Sequence, residues 1–132
     1  MRNVHRVVGI VMLLAFLGTG QYMDRVYAHL HGMSDARRML FRSDHIYLLL
    51  AAISNLMLGL YLSPRDAQRA RVVQMIGSIG IIAAPFLFLI AFFTEPWMAN
   101  LARPYTRPAI YAMFGGGLAH LLAAYTVDVK AT

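Results

Sequence analysis

Four long stretches of the sequence contain no Asp, Glu, Lys or Arg, and they constrain the fold more than any other feature. They cover residues 7–23, 45–64, 72–94 and 108–127. A helix that crosses the roughly 30 Å hydrocarbon core of a bilayer needs about 20 residues, with a range near 17–25. Each stretch has that length. We therefore predict an all-α integral membrane protein, an up-down-up-down four-helix bundle in which residues 1–132 form a single transmembrane domain.

The composition favours the same interpretation. Hydrophobic residues make up 59% of the chain and charged residues 14%, against roughly a quarter charged in an ordinary soluble domain. A soluble domain of this size could not bury so much apolar surface. The first apolar stretch follows Arg2 and Arg6 and so resembles a secretory signal, but residues 18–20 match the A-x-A cleavage pattern poorly. We expect this stretch to remain as the first transmembrane helix.

Turn signals predict where the first two helices end and begin. The residues after 23 are good helix formers up to His31, and Gly32 is a natural C-cap, with Ser34 able to cap the next helix. We therefore expect the first helix to continue past the bilayer to about His31. Residues 24–44 should then form the extramembrane tip of a long hairpin.

The third helix carries its own boundary signals. Ser63 and Asp66 have the spacing of a capping box, and Pro64 between them suits the first position of a helix. The pair Glu95 and Pro96 should stop the same helix. We predict that the third helix runs from about Pro64 to the residue before Glu95.

Basic residues are equally frequent on the two predicted sides of the membrane, with six on each. The side with the termini has Arg2, Arg6, Arg65, Arg69, Arg71 and Lys130, and the other has Arg25, Arg37, Arg38, Arg42, Arg103 and Arg107. The positive-inside rule therefore does not set the orientation by count. Three arginines in the short loop after the second helix, and the basic pair ahead of the first, favour both termini on the cytoplasmic side. We expect the membrane to be a bacterial inner membrane. We expect Arg65, Arg69 and Arg71 to bind anionic lipids.

Polar residues inside the predicted spans are the best candidates for a site, because burying them unpaired in hydrocarbon is costly. Asn55, Ser78 and His120 fall at similar depths in antiparallel helices, and Gln74 lies one turn nearer the surface than Ser78. Each belongs to a stripe with four-residue spacing, for example Gly116 and His120. We predict that these residues form one polar layer inside the bundle.

This polar layer has three possible roles. The simplest is hydrogen bonding between helices, which sets their register. A second is binding of haem b, with His120 as one axial ligand and His5 of the first helix as the other, since helix bundles host such sites. This needs the first helix to begin deeper than residue 7, because His5 precedes that stretch. A third is a quinone, proton or substrate site built from the same residues.

A metal site is a weaker possibility. His29, His31 and His45 gather near the hairpin tip, but residues two apart on a helix point about 200° apart. His29 and His31 can converge only if the first helix ends before Ala28. The chain contains no Cys, which removes disulfides and thiolate metal ligands. We therefore favour a hydrated hairpin tip over a metal centre.

Glycines in the predicted spans favour close helix packing. Gly115, Gly116 and Gly117 offer small faces in more than one direction, and Gly59 and Gly77 are candidates in the second and third helices. The faces can pack within one chain or form the seam of a homo-oligomer or larger membrane complex.

These observations favour a non-enzymatic function. We find no nucleophile turn with its triad, phosphate-binding glycine loop or H-E-x-x-H motif. The net charge of +6 does not indicate nucleic-acid binding, because the basic residues flank apolar stretches. We expect an accessory subunit or self-associating scaffold in the lipid bilayer, with a haem- or quinone-binding redox bundle as the alternative and an oligomeric transporter or channel third.

Overall fold

The structure is a computed structural model that describes residues 1–100 and 102–128. These residues contain no β-strand and form four long helices. The helices are α1 (Arg2–Arg25), α2 (Asp35–Tyr61), α3 (Gln68–Thr94) and α4 (Thr106–Asp128), with short 3₁₀ turns at Ala28–Leu30 and Glu95–Trp97. The prediction of an all-α four-helix bundle is confirmed.

The helices have the length and composition of membrane helices. Within the described residues, three candidate spans are long and apolar enough to cross a bilayer: α1, α2, and α3 extended through Trp97. The fourth predicted span coincides with α4, and its crossing of the membrane stays a prediction. Lys130, which entered the count of basic residues, lies outside the described part of the chain.

The surface of the bundle is also apolar. Large hydrophobic side chains point outward from all four helices, among them Leu14, Leu60, Ile76 and Leu118, each more than half exposed. An apolar patch of this extent is unfavourable in water and suits hydrocarbon. The structure is thus compatible with a membrane protein.

Consecutive helices are the main packing partners. α1 packs against α2 and α3 against α4, while contacts between α2 and α3 join the two pairs. Glycines bring backbones together at these seams: a Cβ on Gly9 would lie 2.8 Å from the Leu56 nitrogen, and one on Gly80 would lie 2.8 Å from the Ala112 oxygen. Neither glycine was among the predicted packing positions.

The predicted end of the first helix is wrong. α1 ends at Arg25 rather than near His31, and Ala28, His29 and Leu30 all have left-handed backbone conformations, with φ of 44°, 58° and 64°. Such conformations are uncommon outside glycine. The reversal places Leu30 in a cluster with Phe41 and Phe92, where its side chain is only 2% exposed. Burial of this side chain by distant residues explains why local helix propensity does not prevail.

The predicted start of the third helix is also wrong, because α3 begins at Gln68 and not at Pro64. The preceding loop is held by a side chain from the following turn. Gln74 donates from Nε2 to the Ser63 oxygen (2.9 Å), and its Oε1 accepts from the Arg65 nitrogen (3.3 Å). These bonds satisfy two backbone groups of the loop and hold it outside the helix. The end of α3 at Thr94 agrees with the stop predicted from Glu95 and Pro96.

Candidate functional site

The buried polar residues fall into two clusters, one at each end of the bundle. We call the end with the N-terminus and the loop at residues 62–67 the terminal end. The opposite end, with the turn at residues 26–34 and the segment at residues 95–105, is the loop end. Among the described residues, the charged side chains that are fully buried, Asp44 and Glu95, both lie at the loop end.

At the terminal end, His5 and Asn55 form a fully buried pair. Nδ1 of His5 lies 2.8 Å from Oδ1 of Asn55, and both side chains are 0% exposed. Asn55 donates from Nδ2 to the oxygens of Ala51 (2.9 Å) and Ile81 (3.0 Å). Its Oδ1 is therefore the acceptor, so His5 Nδ1 carries a proton and donates. This leaves His5 Nε2 buried without a hydrogen-bond partner among the described residues.

The bond from Asn55 to Ile81 replaces a backbone hydrogen bond that α3 lacks. In a regular helix the Ile81 oxygen would accept from the nitrogen of residue 85, but residue 85 is Pro and has no N–H. The side chain of Asn55, on a different helix, supplies the missing donor. Asn55 thus links three helices, since it also accepts from His5 on α1.

The second pair at the terminal end joins α3 to α4. Ser78 is fully buried, and its Oγ lies 3.2 Å from Nε2 of His120. The seam beside this pair is tight, because a Cβ on Gly77 would lie 2.7 Å from the Gly116 oxygen and 3.1 Å from Cδ2 of His120. Of the predicted layer, the structure brings together Asn55, Ser78 and His120 in two pairs at the same end.

Two predicted positions differ from this layer. His5, proposed only as a haem ligand, is a hydrogen-bonded member, because α1 begins at Arg2 and carries His5 into the buried part of the bundle. Gln74 is not a member, because both ends of its amide bind the loop at residues 62–67. The stripe spacing identified buried faces but not the partners of each polar group.

The geometry bears on a haem with His5 and His120 as axial ligands. An axial histidine offers one unprotonated ring nitrogen, while the other donates a hydrogen bond to an oxygen. His5 has this arrangement, with Nδ1 bonded to Asn55 and Nε2 without a partner. His120 has Nε2 beside Ser78. Nε2 is thus without a partner in His5 but lies against Ser78 in His120. The two histidines therefore do not offer the same ring nitrogen to a haem iron.

The loop end contains a cluster of opposite charges that sequence analysis missed. Arg103 donates from Nη2 to Asp44 Oδ1 (2.7 Å) and to the Ser43 hydroxyl (2.8 Å), and its Nε lies 3.5 Å from Glu95 Oε2. Asp44 and Glu95 are fully buried, whereas the Arg103 side chain is 24% exposed. Glu95 was interpreted only as a helix stop. The available signal was Asp44 next to an apolar stretch, with Arg103 just ahead of α4 and Thr106 as its first residue.

Glu95 also caps α4. Its Oε1 accepts from the backbone nitrogens of Tyr105 (2.9 Å) and Thr106 (2.8 Å), and its Oε2 accepts from the Thr106 hydroxyl (2.6 Å). A carboxylate at a helix N-terminus satisfies free N–H groups and interacts favourably with the helix dipole. The residue that ends α3 therefore also fixes the start of α4.

The loop-end cluster is able to hold a proton. The Thr106 hydroxyl lies within 3.0 Å of Asp44 Oδ1 and 2.6 Å of Glu95 Oε2. One hydroxyl hydrogen can be donated fully to only one of these carboxylates. Two carboxylates face one guanidinium, and Asp44 Oδ2 has no hydrogen-bond partner among the described residues, so this oxygen can accept a proton. This is the main acid-base chemistry that the buried residues offer.

The histidines near the hairpin tip are dispersed. α1 ends before Ala28, and the His29 and His31 ring centroids lie 6.4 Å apart, but His29 Nδ1 is 2.7 Å from Asp24 Oδ1. His45 lies within the bundle, stacked 4.1 Å from Phe16, and its Nδ1 is 2.9 Å from the Thr19 hydroxyl. Among the described residues no group of three or more His, Cys, Asp or Glu could hold a metal ion.

The predicted packing glycines have different environments. Gly116 faces Gly77 across the seam between α3 and α4, and a Cβ on Gly59 would lie 2.8 Å from the Arg6 nitrogen of α1. By contrast, a Cβ on Gly115 or Gly117 would meet no atom within 4 Å. Gly115 and Gly117 thus make no close helix contact within the described part of the chain.

Arginines at the two ends also differ. At the loop end, Arg103 pairs with Asp44, Arg38 pairs with Asp35, and Arg37 lies 4.7 Å from the ring centre of Trp97. No terminal-end arginine of the described residues forms an ion pair with a carboxylate. Within the described residues, carboxylates therefore pair with two loop-end arginines and with none at the terminal end.

Comparisons with protein-family descriptions, curated proteins and solved structures give no match for this chain.

Proposed function

We propose that the protein is a non-enzymatic membrane scaffold that self-associates through the outer side of α4. The observation that carries this proposal is the open space beside Gly115 and Gly117, where an added Cβ would meet no atom within 4 Å. α4 packs mainly on α3, so its two flanks face away from the bundle. Small residues on a free helix face allow another backbone to approach closely in lipid.

A groove next to Gly117 supports a helix as the occupant. The groove has a volume of about 440 Å³ and lies between α2 and α4, with Ser54 on one side and Gly117 on the other. Leu118 and Leu121 at its rim are 60% and 52% exposed. In a two-fold dimer, these leucines of each copy enter the groove of the other, which is the reciprocal contact that such symmetry requires. The occupant is therefore α4 of a second copy.

The hydrogen bonding of the polar layer supports a structural role. His5 and Asn55 bind one another, and Asn55 satisfies the carbonyl left without a donor by Pro85. Ser78 and His120 join the other helix pair. Bonds of this kind between membrane helices contribute about 0.6 kcal/mol on average and specify which faces meet. They hold the bundle in one register and so present the α4 surface in a defined geometry.

Self-association is tested with a matched pair of glycine substitutions. Gly117→Leu fills the groove, whereas Gly18→Leu adds the same side chain to α1 at another position with no atom within 4 Å. Energy transfer between labelled copies in liposomes should fall for Gly117→Leu and remain at the wild-type value for Gly18→Leu. A monomeric wild-type protein, or equal loss of transfer in both variants, would overturn the proposal.

The bundle lies in a bacterial inner membrane with both termini in the cytoplasm. The pairing of two of the six loop-end arginines supports this orientation, because Arg38 lies against Asp35 and Arg103 against Asp44. Free positive charge is retained on the cytoplasmic side during insertion. Reporter fusions after Leu62 and Thr132 should report cytoplasm, and a fusion at Met33 the opposite compartment. Reversed results at all three sites would contradict this orientation.

The second candidate is a haem-binding redox bundle, and the unpartnered Nε2 of buried His5 favours it. The Asn55 bond to Nδ1 orients this nitrogen as it would for an axial ligand. Protein purified from haem-replete cells should then show a Soret band that His5→Ala abolishes, whereas His120→Ala tests the second ligand of the predicted pair. A colourless wild-type protein would exclude this candidate and leave the scaffold proposal intact.

A further inference from the structure

A cleft at the terminal end combines two cationic side chains with apolar walls. It has a volume of about 330 Å³ and lies between the start of α1, the segment after α2 and the first turns of α3. Arg2 and Arg71 both line it, and Met1, Leu62 and Met75 supply the apolar wall. A cleft of this size holds a small ligand or part of a larger one.

The two arginines are available for an anion. Within the described residues neither Arg2 nor Arg71 pairs with a carboxylate. The Nε of Arg71 donates to the Arg65 oxygen at 3.0 Å, which positions the guanidinium and leaves its terminal nitrogens free. Guanidinium groups bind phosphate oxygens through directed, charge-assisted hydrogen bonds.

The polar groups at the inner wall are already used. Gln74 binds the loop through both ends of its amide, and Ser78 lies beside His120. Their contacts within the protein fix the orientation of both side chains. Recognition in this cleft therefore depends on the positive charge of Arg2 and Arg71 and on contact with the apolar wall.

We propose that this cleft binds one anionic phospholipid. Its phosphate lies between Arg2 and Arg71, and the first part of an acyl chain lies along Leu62 and Met75. The position favours a lipid because α1 begins at Arg2, so this residue lies where a membrane helix meets the headgroups. A zwitterionic lipid is bound less well because it brings its own cation.

The site differs from the lipid contact expected from sequence. Of Arg65, Arg69 and Arg71, only Arg71 lines the cleft, and Arg2 from the other end of the chain completes it. Arg69 is exposed and lies two residues from Arg71 in the same helix. Arg69→Gln is therefore the matched control, because it removes one positive charge and leaves the residues that line the cleft unchanged. The inference does not depend on self-association through α4.

The experiment measures retention of phosphatidylglycerol and phosphatidylcholine by the purified full chain, using native mass spectrometry from detergent. Wild type should retain one phosphatidylglycerol in preference to phosphatidylcholine. Arg2→Gln and Arg71→Gln should each weaken that retention about five-fold, the effect of removing one cation near anionic headgroups. Arg69→Gln should retain the lipid as wild type does, and excess inorganic phosphate should not displace it.

Three outcomes would overturn the proposal. Equal retention of the two lipids by wild type would show that the cleft does not select an anionic headgroup, and this result needs no variant. Equal weakening by Arg69→Gln and Arg71→Gln would indicate a diffuse attraction. Displacement by inorganic phosphate would identify a site for a free anion. Unchanged helical circular dichroism in each variant excludes loss of the fold as the cause.

Discussion

The two ends of the bundle carry equal numbers of basic residues in the sequence, yet they use them differently. At the loop end, Arg103 lies against two buried carboxylates, Asp44 and Glu95, and joins α2 to the segment between α3 and α4. At the terminal end, the fully buried contacts are neutral, as between His5 and Asn55, and arginines line an open cleft. The location of carboxylates, rather than the number of arginines, decides which of the described charges are paired.

The difference has an energetic consequence. A buried ion pair is sensitive to loss of one partner, because the remaining charge is left in a poorly solvated site. A neutral hydrogen-bonded pair loses less when it is broken, since the remaining group carries no net charge. Substitutions at the loop end should therefore destabilise the protein more than substitutions at the terminal end.

The largest effect is expected for Glu95→Ala. This change removes the acceptor of the Tyr105 and Thr106 nitrogens and leaves Arg103 with only Asp44 as a counter-charge. Each buried N–H group left without an acceptor costs about 1–3 kcal/mol, and bonds to a charged acceptor are the stronger ones. Unfolding of the purified protein by denaturant titration in micelles should show a loss of that size. Glu95→Gln keeps an acceptor without the charge, so it should be less severe.

A loss below about 1 kcal/mol for Glu95→Ala would be no larger than that of an exposed ion pair. It would contradict the expectation that substitutions at the loop end destabilise the protein more than those at the terminal end. A similar loss for Glu95→Ala and Glu95→Gln would show that the charge, rather than capping of α4, is responsible. Far-ultraviolet circular dichroism of both variants provides the check on helix content.

The next effect is expected for Asn55→Ala at the terminal end. It leaves the His5 Nδ1 proton and the Ile81 oxygen without partners, at about 1–3 kcal/mol for each buried group. Pro85→Ala restores an N–H four residues after Ile81. In the double variant the Asn55 substitution should therefore cost less than it does alone. A double-mutant cycle by denaturant titration measures this coupling, and strict additivity would contradict the role assigned to Asn55.

A smaller loss is expected at the seam between α3 and α4. A Cβ on Gly116 would lie 2.6 Å from the Gly77 oxygen and 2.7 Å from Cγ1 of Ile81, whereas one on Gly115 would meet nothing. Gly116→Ala should lower stability by about 1–3 kcal/mol, as overpacking does, and should disturb the nearby contact of His120. The thermal midpoint in detergent should fall for Gly116→Ala and not for Gly18→Ala, whose added Cβ on α1 also meets no atom within 4 Å.

The smallest effect is expected for Asp35→Asn. Asp35 pairs with Arg38, and its side chain is 91% exposed. Exposed pairs contribute about 0–1 kcal/mol because water solvates both partners. The denaturant midpoint should change little relative to Glu95→Ala, although both residues lie at the loop end. A loss as large as that of Glu95→Ala would show that burial is not the property that separates the two carboxylates.

The architecture follows from the sequence because apolar stretches of membrane length are local features. The boundaries are less predictable. Leu30 is buried against Phe41 and Phe92, and this contact stops α1 earlier than its helix formers suggest. Gln74 ties the loop before α3 and delays the start of that helix to Gln68. In both places a side chain outside the predicted helix boundary makes a contact that outweighs the local sequence pattern.

The candidate sites were predicted in part. Asn55, Ser78 and His120 were identified because a polar group inside an apolar stretch needs a partner. The sequence shows that Pro85 leaves the Ile81 oxygen without its helical donor. It does not show that Asn55, on another helix, supplies that donor. The lipid cleft required Arg2 and Arg71 to be neighbours, and no spacing rule connects positions so far apart in the chain.

The order of side chains along single segments is enough to predict the helical class and the apolar stretches. Packing of the helices against one another was needed to show that Glu95 caps α4, that Asn55 binds the Ile81 oxygen and that Arg103, unlike Arg71, pairs with a carboxylate among the described residues. Each of these results depends on contacts between residues on different elements. Their energies are set by burial and distance, which exist only after the helices have packed.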